Sequence, residues 1–106
     1  PMASGILGQS APAATTNTTV YTVPASTVAV VNISVVNRGG SAATVRVALS
    51  AGSTPNDDEW IEYNTSVGST SVLERTGVVL NATKNVVVHA SSADTSVSVY
   101  GLESAA

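Results

Sequence analysis

The chain of 106 residues lacks cysteine and phenylalanine and contains one histidine, one tryptophan and four Lys or Arg residues. Without cysteine no disulfide framework can form, and a zinc site would have to combine His89 with carboxylates alone. With four cations and a net charge of −3, the chain offers no basic cluster for a phosphate backbone or an anionic membrane surface. No apolar run approaches the ~18 residues of a membrane span. These absences predict no nucleic-acid partner, no membrane partner and no cofactor.

Valine, serine and threonine dominate what is present, with 18, 15 and 13 copies respectively. Valine and threonine are β-branched and fit a pleated, half-buried surface, so this composition predicts β-sheet. Only 10% of the residues are charged, whereas about 25% is usual. The predicted surface is therefore rich in hydroxyl groups rather than ions. Such a surface loses little hydration when a partner covers it.

Alternating apolar residues predict seven or eight short strands spaced about ten residues apart. The clearest alternation runs from residue 43 to residue 50, where Val45, Val47 and Leu49 point to one side. Val97 and Val99 alternate in the same way near the end of the chain. We therefore predict an all-β fold, a single β-sandwich of jelly-roll or immunoglobulin-like type with short antiparallel strands. The cysteine and tryptophan pattern of true immunoglobulin domains is missing, which favours a jelly-roll or a generic sandwich.

Two further local predictions concern the strands. In the longest strand candidate Val28 and Val30 are out of phase with Val31, Ile33 and Val35, which predicts a bulge near residues 30–31. Residues 71–80 form either two strands or one strand bent at residues 76–77.

Near the C-terminus, residues 86–90 and 95–101 are predicted to form a β-hairpin across a four-residue connection, 91–94. The last residues, 102–106, are predicted to fray.

The N-terminal segment 1–17 has neither strand nor helix periodicity and is rich in Ala, Gly, Ser and Pro. It predicts an extended arm, followed by a β-sandwich domain over residues 18–106. Ile6 and Leu7 are the only branched apolar pair in the arm. Two interpretations remain open for it, a loose terminus and an arm laid on a neighbouring subunit.

The few residues capable of chemistry form no recognisable catalytic pattern. His89 lies in a predicted strand on the face opposite Val88, as a structural histidine would. The acidic run 57–59 fits a solvated loop, or a weak calcium site built from loop carboxylates. Glu62 and Glu74 could join Glu59 as paired carboxylates for glycoside hydrolysis, but the chain has too few aromatic residues to line a sugar cleft for that reaction. We therefore predict that the protein is not an enzyme, with no catalytic or metal-binding residues.

Trp60 and Tyr63 are large residues in a chain of small side chains. Trp60 follows the acidic run, so its indole either fills the core or lies half exposed as an interface anchor. Together with the acidic loop, these two aromatic residues could also form a site for a glycan.

Six sequence segments occur in order along the chain, at residues 3–9, 20–25, 31–39, 61–63, 73–77 and 99–103. Together they resemble small virion structural proteins of tailed bacteriophages, including those of cyanobacterial phages. The resemblance covers nearly the whole chain, although each segment alone is weakly specific.

The resemblance implies a non-enzymatic component of a virus particle, made in the cytoplasm of the bacterial host. One implied role is a capsid decoration or cement protein on the outer head surface, often trimeric, with the major capsid protein or other virion proteins as partners. The alternative is a tail, neck or fibre-associated adhesin module that binds host-surface glycan. The expected partner-interface residues are Ile6, Leu7, Trp60 and Tyr63.

Overall fold

The computed structural model describes residues 3–106, which form eight β-strands and one short 3₁₀ turn at Asp57–Glu59. No helix among these residues is long and apolar enough to cross a membrane. The strands are β1 (Ser4–Ser10), β2 (Thr18–Thr22), β3 (Thr27–Asn37), β4 (Ala43–Ser50), β5 (Trp60–Val67), β6 (Val72–Leu80), β7 (Asn85–Ala90) and β8 (Thr95–Ala105).

The eight strands form two four-stranded antiparallel sheets packed as a sandwich. Sheet A has the order β1-β8-β3-β6, and sheet B has the order β2-β7-β4-β5. The first strand pairs with the last, the second with the seventh, the third with the sixth and the fourth with the fifth. This arrangement is a long antiparallel ribbon rolled up across two sheets, which is the jelly-roll topology. The prediction of an all-β sandwich is confirmed, and the strand order distinguishes the jelly-roll from the immunoglobulin alternative.

The core lies between the two sheets and consists mainly of valine. Val45, Val47, Val97 and Val99 are all buried, as the alternation predicts, and Leu49 is partly buried against them. Because a β-strand turns successive side chains to opposite faces, these valines interdigitate from both sheets.

The predicted bulge in β3 is wrong. β3 pairs with β8 without interruption from Thr27 opposite Ala105 to Asn37 opposite Thr95. The irregularity lies in β6, which is one strand bent at residues 76–77, where Gly77 has a φ of 65°. Val28 and Val30 are out of phase with the core because they point outward, and Val30 is 42% exposed.

The predicted C-terminal hairpin is also wrong. β7 lies in sheet B between β2 and β4, whereas β8 lies in sheet A between β1 and β3. Alternation reports which side chains face the core, but it cannot distinguish a hydrogen-bonded neighbour from a strand that faces it across the sandwich. The last residues are not frayed either, since β8 continues to Ala105 and pairs with the start of β3.

Much of the predicted arm is a strand of the sandwich. Residues 4–10 form β1, which pairs with β8 at the edge of sheet A. Pro1 and Met2, the first residues of the predicted arm, lie outside the described residues. Gly8 approaches β2 so closely that an added Cβ would overlap the carbonyl oxygen of Val20. The segment lacks apolar periodicity because a bulge at Leu7 interrupts it and Gly8 occupies an inward position.

Two polar contacts link the sheets at the sides of the sandwich. The guanidinium of Arg75 on β6 pairs with the Glu62 carboxylate on β5, with 2.7 Å between Nη1 and Oε2. On the other side, the Tyr21 hydroxyl on β2 donates to Glu103 on β8. Burial, followed by the hydrogen bond to Glu103 and its negative charge, raises the pKa of Tyr21 well above its usual range. Tyr21 therefore stays a neutral donor to Glu103.

Candidate functional site

Three side chains of unusual size for this chain meet on the outer face of sheet B. The rings of Trp60 and Tyr63 pack edge to face, with centroids 5.5 Å apart and an interplanar angle of 73°. The guanidinium carbon of Arg46 lies 4.3 Å from the Tyr63 centroid and 6.0 Å from the Trp60 centroid. Beside them is an open cleft of about 410 Å³ lined by Asp57, Trp60 and Tyr63. We refer to this feature as the aromatic cleft.

Irregular pairing between β4 and β5 brings the two rings to one face. In a regular strand, residues three positions apart point to opposite faces. Here the register of β5 against β4 shifts twice, between Ala48 and Val47 and again between Val47 and Val45. Each shift adds a residue on β5, so both Trp60 and Tyr63 reach the outer face.

Arg46 lies at the centre of the outer face of sheet B. In the register it is the neighbour of His89 on β7, and its Nε donates to the Asn64 Oδ1 at 2.7 Å on the other side. Asn64 has a φ of 52°, a left-handed conformation that asparagine tolerates better than most residues. The hydrogen bond and the ring of Tyr63 hold the guanidinium in place over the sheet.

The 3₁₀ turn that carries Asp57 is held by the carboxylate of Glu59. This carboxylate accepts from the backbone N–H of Asn56 at 2.8 Å, from the backbone N–H of Ala51 at 3.0 Å and from the Ser50 hydroxyl at 3.2 Å. The hydrogen bond from Asn56, followed by that from Ala51, lowers the pKa of Glu59. The turn therefore leads into Trp60 in a defined conformation, with Asp57 at the edge of the cleft.

A second candidate surface lies on the opposite side of the molecule, on the outer face of sheet A. Leu102, Val30 and Val79 are cross-strand neighbours on β8, β3 and β6, and they are 56%, 42% and 64% exposed. Next to this row, Ile6 on β1 faces Tyr100 on β8, and Ile6 is 66% exposed. We call these five residues the apolar face. None of them carries a charge.

The predicted partner-interface residues separate into two groups. Trp60 and Tyr63 are together at the aromatic cleft, whereas Ile6 belongs to the apolar face on the other sheet. Leu7 is partly buried and packs against the core. That these residues contact a partner stays a prediction.

Sequence reasoning missed Arg46, Asp57, Val30, Val79 and Leu102 as members of these surfaces. The signal for the apolar face was the phase of Val28 and Val30, which do not follow the core alternation. No pattern in the sequence indicated that Arg46 lies over Tyr63, because the contact depends on the register of β4 against β5.

The remaining candidates stay apart from one another. His89 is partly buried on the outer side of β7 while Val88 lies in the core, as predicted. Across residues 3–106 no three His, Cys, Asp or Glu side chains gather in a way that could hold a metal ion. Glu59 binds its own loop, Glu62 pairs with Arg75, and Glu74 lies opposite Ser34 on the outer face of sheet A.

Fold and surfaces together define a jelly-roll β-sandwich with one apolar sheet face and one aromatic cleft. No protein family, curated protein or solved structure matches the chain.

Proposed function

We propose that the protein is a non-enzymatic structural component of a bacteriophage virion, a decoration or cement protein that binds the outer surface of the head. The apolar face carries this proposal. Three neighbouring strands present Leu102, Val30 and Val79 to solvent in one continuous row. A contiguous apolar patch of this kind on a small protein is typical of a protein–protein contact.

The shape and charge of the apolar face favour a broad contact over a small ligand. It crosses the sheet from Ile6 on the edge strand β1 to Val79 on the edge strand β6, so it presents side chains from all four strands of sheet A. A partner that covers the apolar face does not have to desolvate a charged group of that face. Each valine or leucine that the partner buries contributes roughly 1–2 kcal/mol at most to the free energy of binding. A protein shell is a partner that can cover such a surface.

The topology supports the proposal only by analogy. Jelly-rolls occur in viral capsid proteins and in lectins, and the same fold serves many unrelated functions. The resemblance to virion proteins of tailed phages favours a virion component over other uses of the fold.

A homo-oligomer, with a trimer favoured, is part of the proposal. A chain of 106 residues without cysteine builds a small core with no disulfide, and oligomerisation is a common way to bury more apolar surface. Light scattering on the purified protein measures the number of subunits directly.

Co-sedimentation with emptied heads of the phage that encodes the chain tests the proposal. The double variant Val30→Asp, Val79→Asp places two charges in the apolar face and should weaken binding at least tenfold, because each charge would have to be buried without a partner. The matched control is Thr44→Asp, Ser66→Asp, two exposed cross-strand neighbours on sheet B. The control should bind like the unmodified protein.

Either of two results would overturn the proposal. In the first, the unmodified protein stays in the supernatant when the heads are pelleted. Alternatively, the two double variants bind the heads with equal affinity while both remain folded by circular dichroism.

A further inference from the structure

We infer that the aromatic cleft is a binding site for a neutral saccharide, with a sugar ring packed against Trp60 and Tyr63. The site is separate from the apolar face, because the cleft lies on sheet B and the apolar face on sheet A. The inference therefore goes beyond the proposed function and does not depend on it.

The aromatic cleft exposes aromatic side chains in a chain that has few of them. The chain has one Trp and three Tyr, and two of these four residues meet at the cleft. Tyr63 is 56% exposed although the core has no phenylalanine and only one buried tyrosine, Tyr21. An aromatic ring held half exposed beside a cleft offers a flat apolar surface, and the C–H face of a sugar ring is a matching one.

The aromatic pair lies between a positively charged and a negatively charged side chain. The guanidinium of Arg46 lies over Tyr63, while Asp57 lines the cleft. A cationic ligand would approach Arg46, which already occupies a face of the Tyr63 ring, and an anionic ligand would approach Asp57. A ligand without net charge avoids both repulsions.

The hydrogen-bonding capacity of the cleft also favours a sugar. The Asp57 carboxylate at the cleft accepts hydrogen bonds only. A sugar carries hydroxyl groups around an apolar ring, so it can donate to Asp57 while its ring contacts the aromatic pair. An apolar peptide side chain would satisfy the rings but not the carboxylate.

The size of the cleft limits the ligand. A cleft of about 410 Å³ lies near the lower end of ligand sites in proteins, and it is open to solvent. We therefore expect a mono- or disaccharide unit, with a Kd of about 1 mM for the free sugar. Several copies of the site in an oligomer would raise the affinity for a surface glycan through multivalency.

The single tryptophan makes the test direct, because its emission reports on Trp60 alone. The probes are glucose, galactose, mannose and N-acetylglucosamine with their β-linked disaccharides, each titrated to about 50 mM, well above a millimolar Kd. At least one sugar should change the emission with saturation. Saturation-transfer NMR on the same sugar should show contact at its ring protons.

Three variants assign the binding to the cleft. Tyr63→Ala and Asp57→Asn should each weaken the binding at least fivefold. Tyr100→Ala removes a tyrosine from the apolar face and should change the Kd less than twofold. Tyr63 and Asp57 are exposed, so neither substitution removes core packing.

Charged probes complete the test. Tetramethylammonium and citrate should not change the Trp60 emission with saturation. The inference is overturned if no sugar of the panel binds, if one of the charged probes binds in place of the sugars, or if Tyr63→Ala and Tyr100→Ala have the same effect on a sugar.

Discussion

Glu59 controls the geometry of the aromatic cleft although it does not line the cleft. Its carboxylate accepts hydrogen bonds from the backbone of Asn56 and Ala51 and from the hydroxyl of Ser50. These bonds close the loop between β4 and β5 and hold the turn from which Asp57 extends. A single side chain thus determines the position of a residue that the proposed ligand would contact.

The lowered pKa of Glu59 predicts a specific loss of stability in acid. The pKa is depressed in the folded state by the backbone donors, so the contribution is present above the unfolded value of about 4.3 and is lost as the pH falls through the folded value. Glu59→Gln should lower the Tm at neutral pH. The difference from the unmodified protein should shrink as the pH falls below the unfolded value of about 4.3 and through the lowered folded value.

Thermal unfolding followed by circular dichroism between neutral and acid pH measures this difference. The control is Glu74→Gln on β6, which removes a carboxylate that makes none of these loop bonds. A Tm difference for Glu59→Gln that stays constant down to acid pH would show that ionisation of Glu59 is not responsible.

At the scale of elements, β1 is a strand that the alternation of apolar residues did not predict. Alternation identified the strands with a clear inner face, such as β4 and the first part of β8. It could not identify β1, because Gly8 stands at an inward position and Leu7 lies at a bulge. Glycine carries no apolar side chain, so the segment has no periodicity although it is fully paired with β8.

The close approach of β1 to β2 predicts the effect of one methyl group. Gly8→Ala would force the new Cβ against the carbonyl oxygen of Val20 and should cost about 1–3 kcal/mol of the free energy of unfolding, as overpacking does. Urea denaturation measures this cost. Amide hydrogen exchange should become faster in β1 while the central strands β3 and β4, which do not pair with β1, stay protected.

Gly40→Ala is the matched control, because nothing lies within 4 Å of an added Cβ at that position. If the two alanine variants unfold at the same urea concentration, then β1 is not packed against β2 in solution.

At the scale of the whole molecule, the sandwich separates two surfaces of different chemistry. The apolar face lies outside sheet A, and the aromatic cleft lies outside sheet B, with the valine core between them. No residue belongs to both. A protein attached through one sheet would keep the other exposed.

This separation predicts that the two surfaces act independently. Val30→Asp, Val79→Asp should leave the Kd of a bound sugar within twofold, because substitutions at distant sites without shared partners have additive effects. Conversely, Tyr63→Ala should leave head binding unchanged. Measuring both variants in both assays checks the prediction, and a change of more than fivefold in a crossed assay would contradict it.

The sequence alone determined the fold class and part of the core. Val45, Val47, Val97 and Val99 are buried as the alternation predicts, because a two-residue period reports directly which side of a strand is covered. Composition likewise predicted an uncharged surface, since with so few charged residues most of the surface must be apolar or hydroxyl-bearing.

Only the tertiary structure decided which strands are neighbours and which side chains meet. Strand pairing depends on contacts between residues far apart in the chain, so the predicted pairing of residues 86–90 with 95–101 was wrong. The same dependence explains the aromatic cleft, where two register shifts in β5 place Trp60 and Tyr63 on one face beside Arg46. Local alternation carries no information on register, and register is what assembles both surfaces.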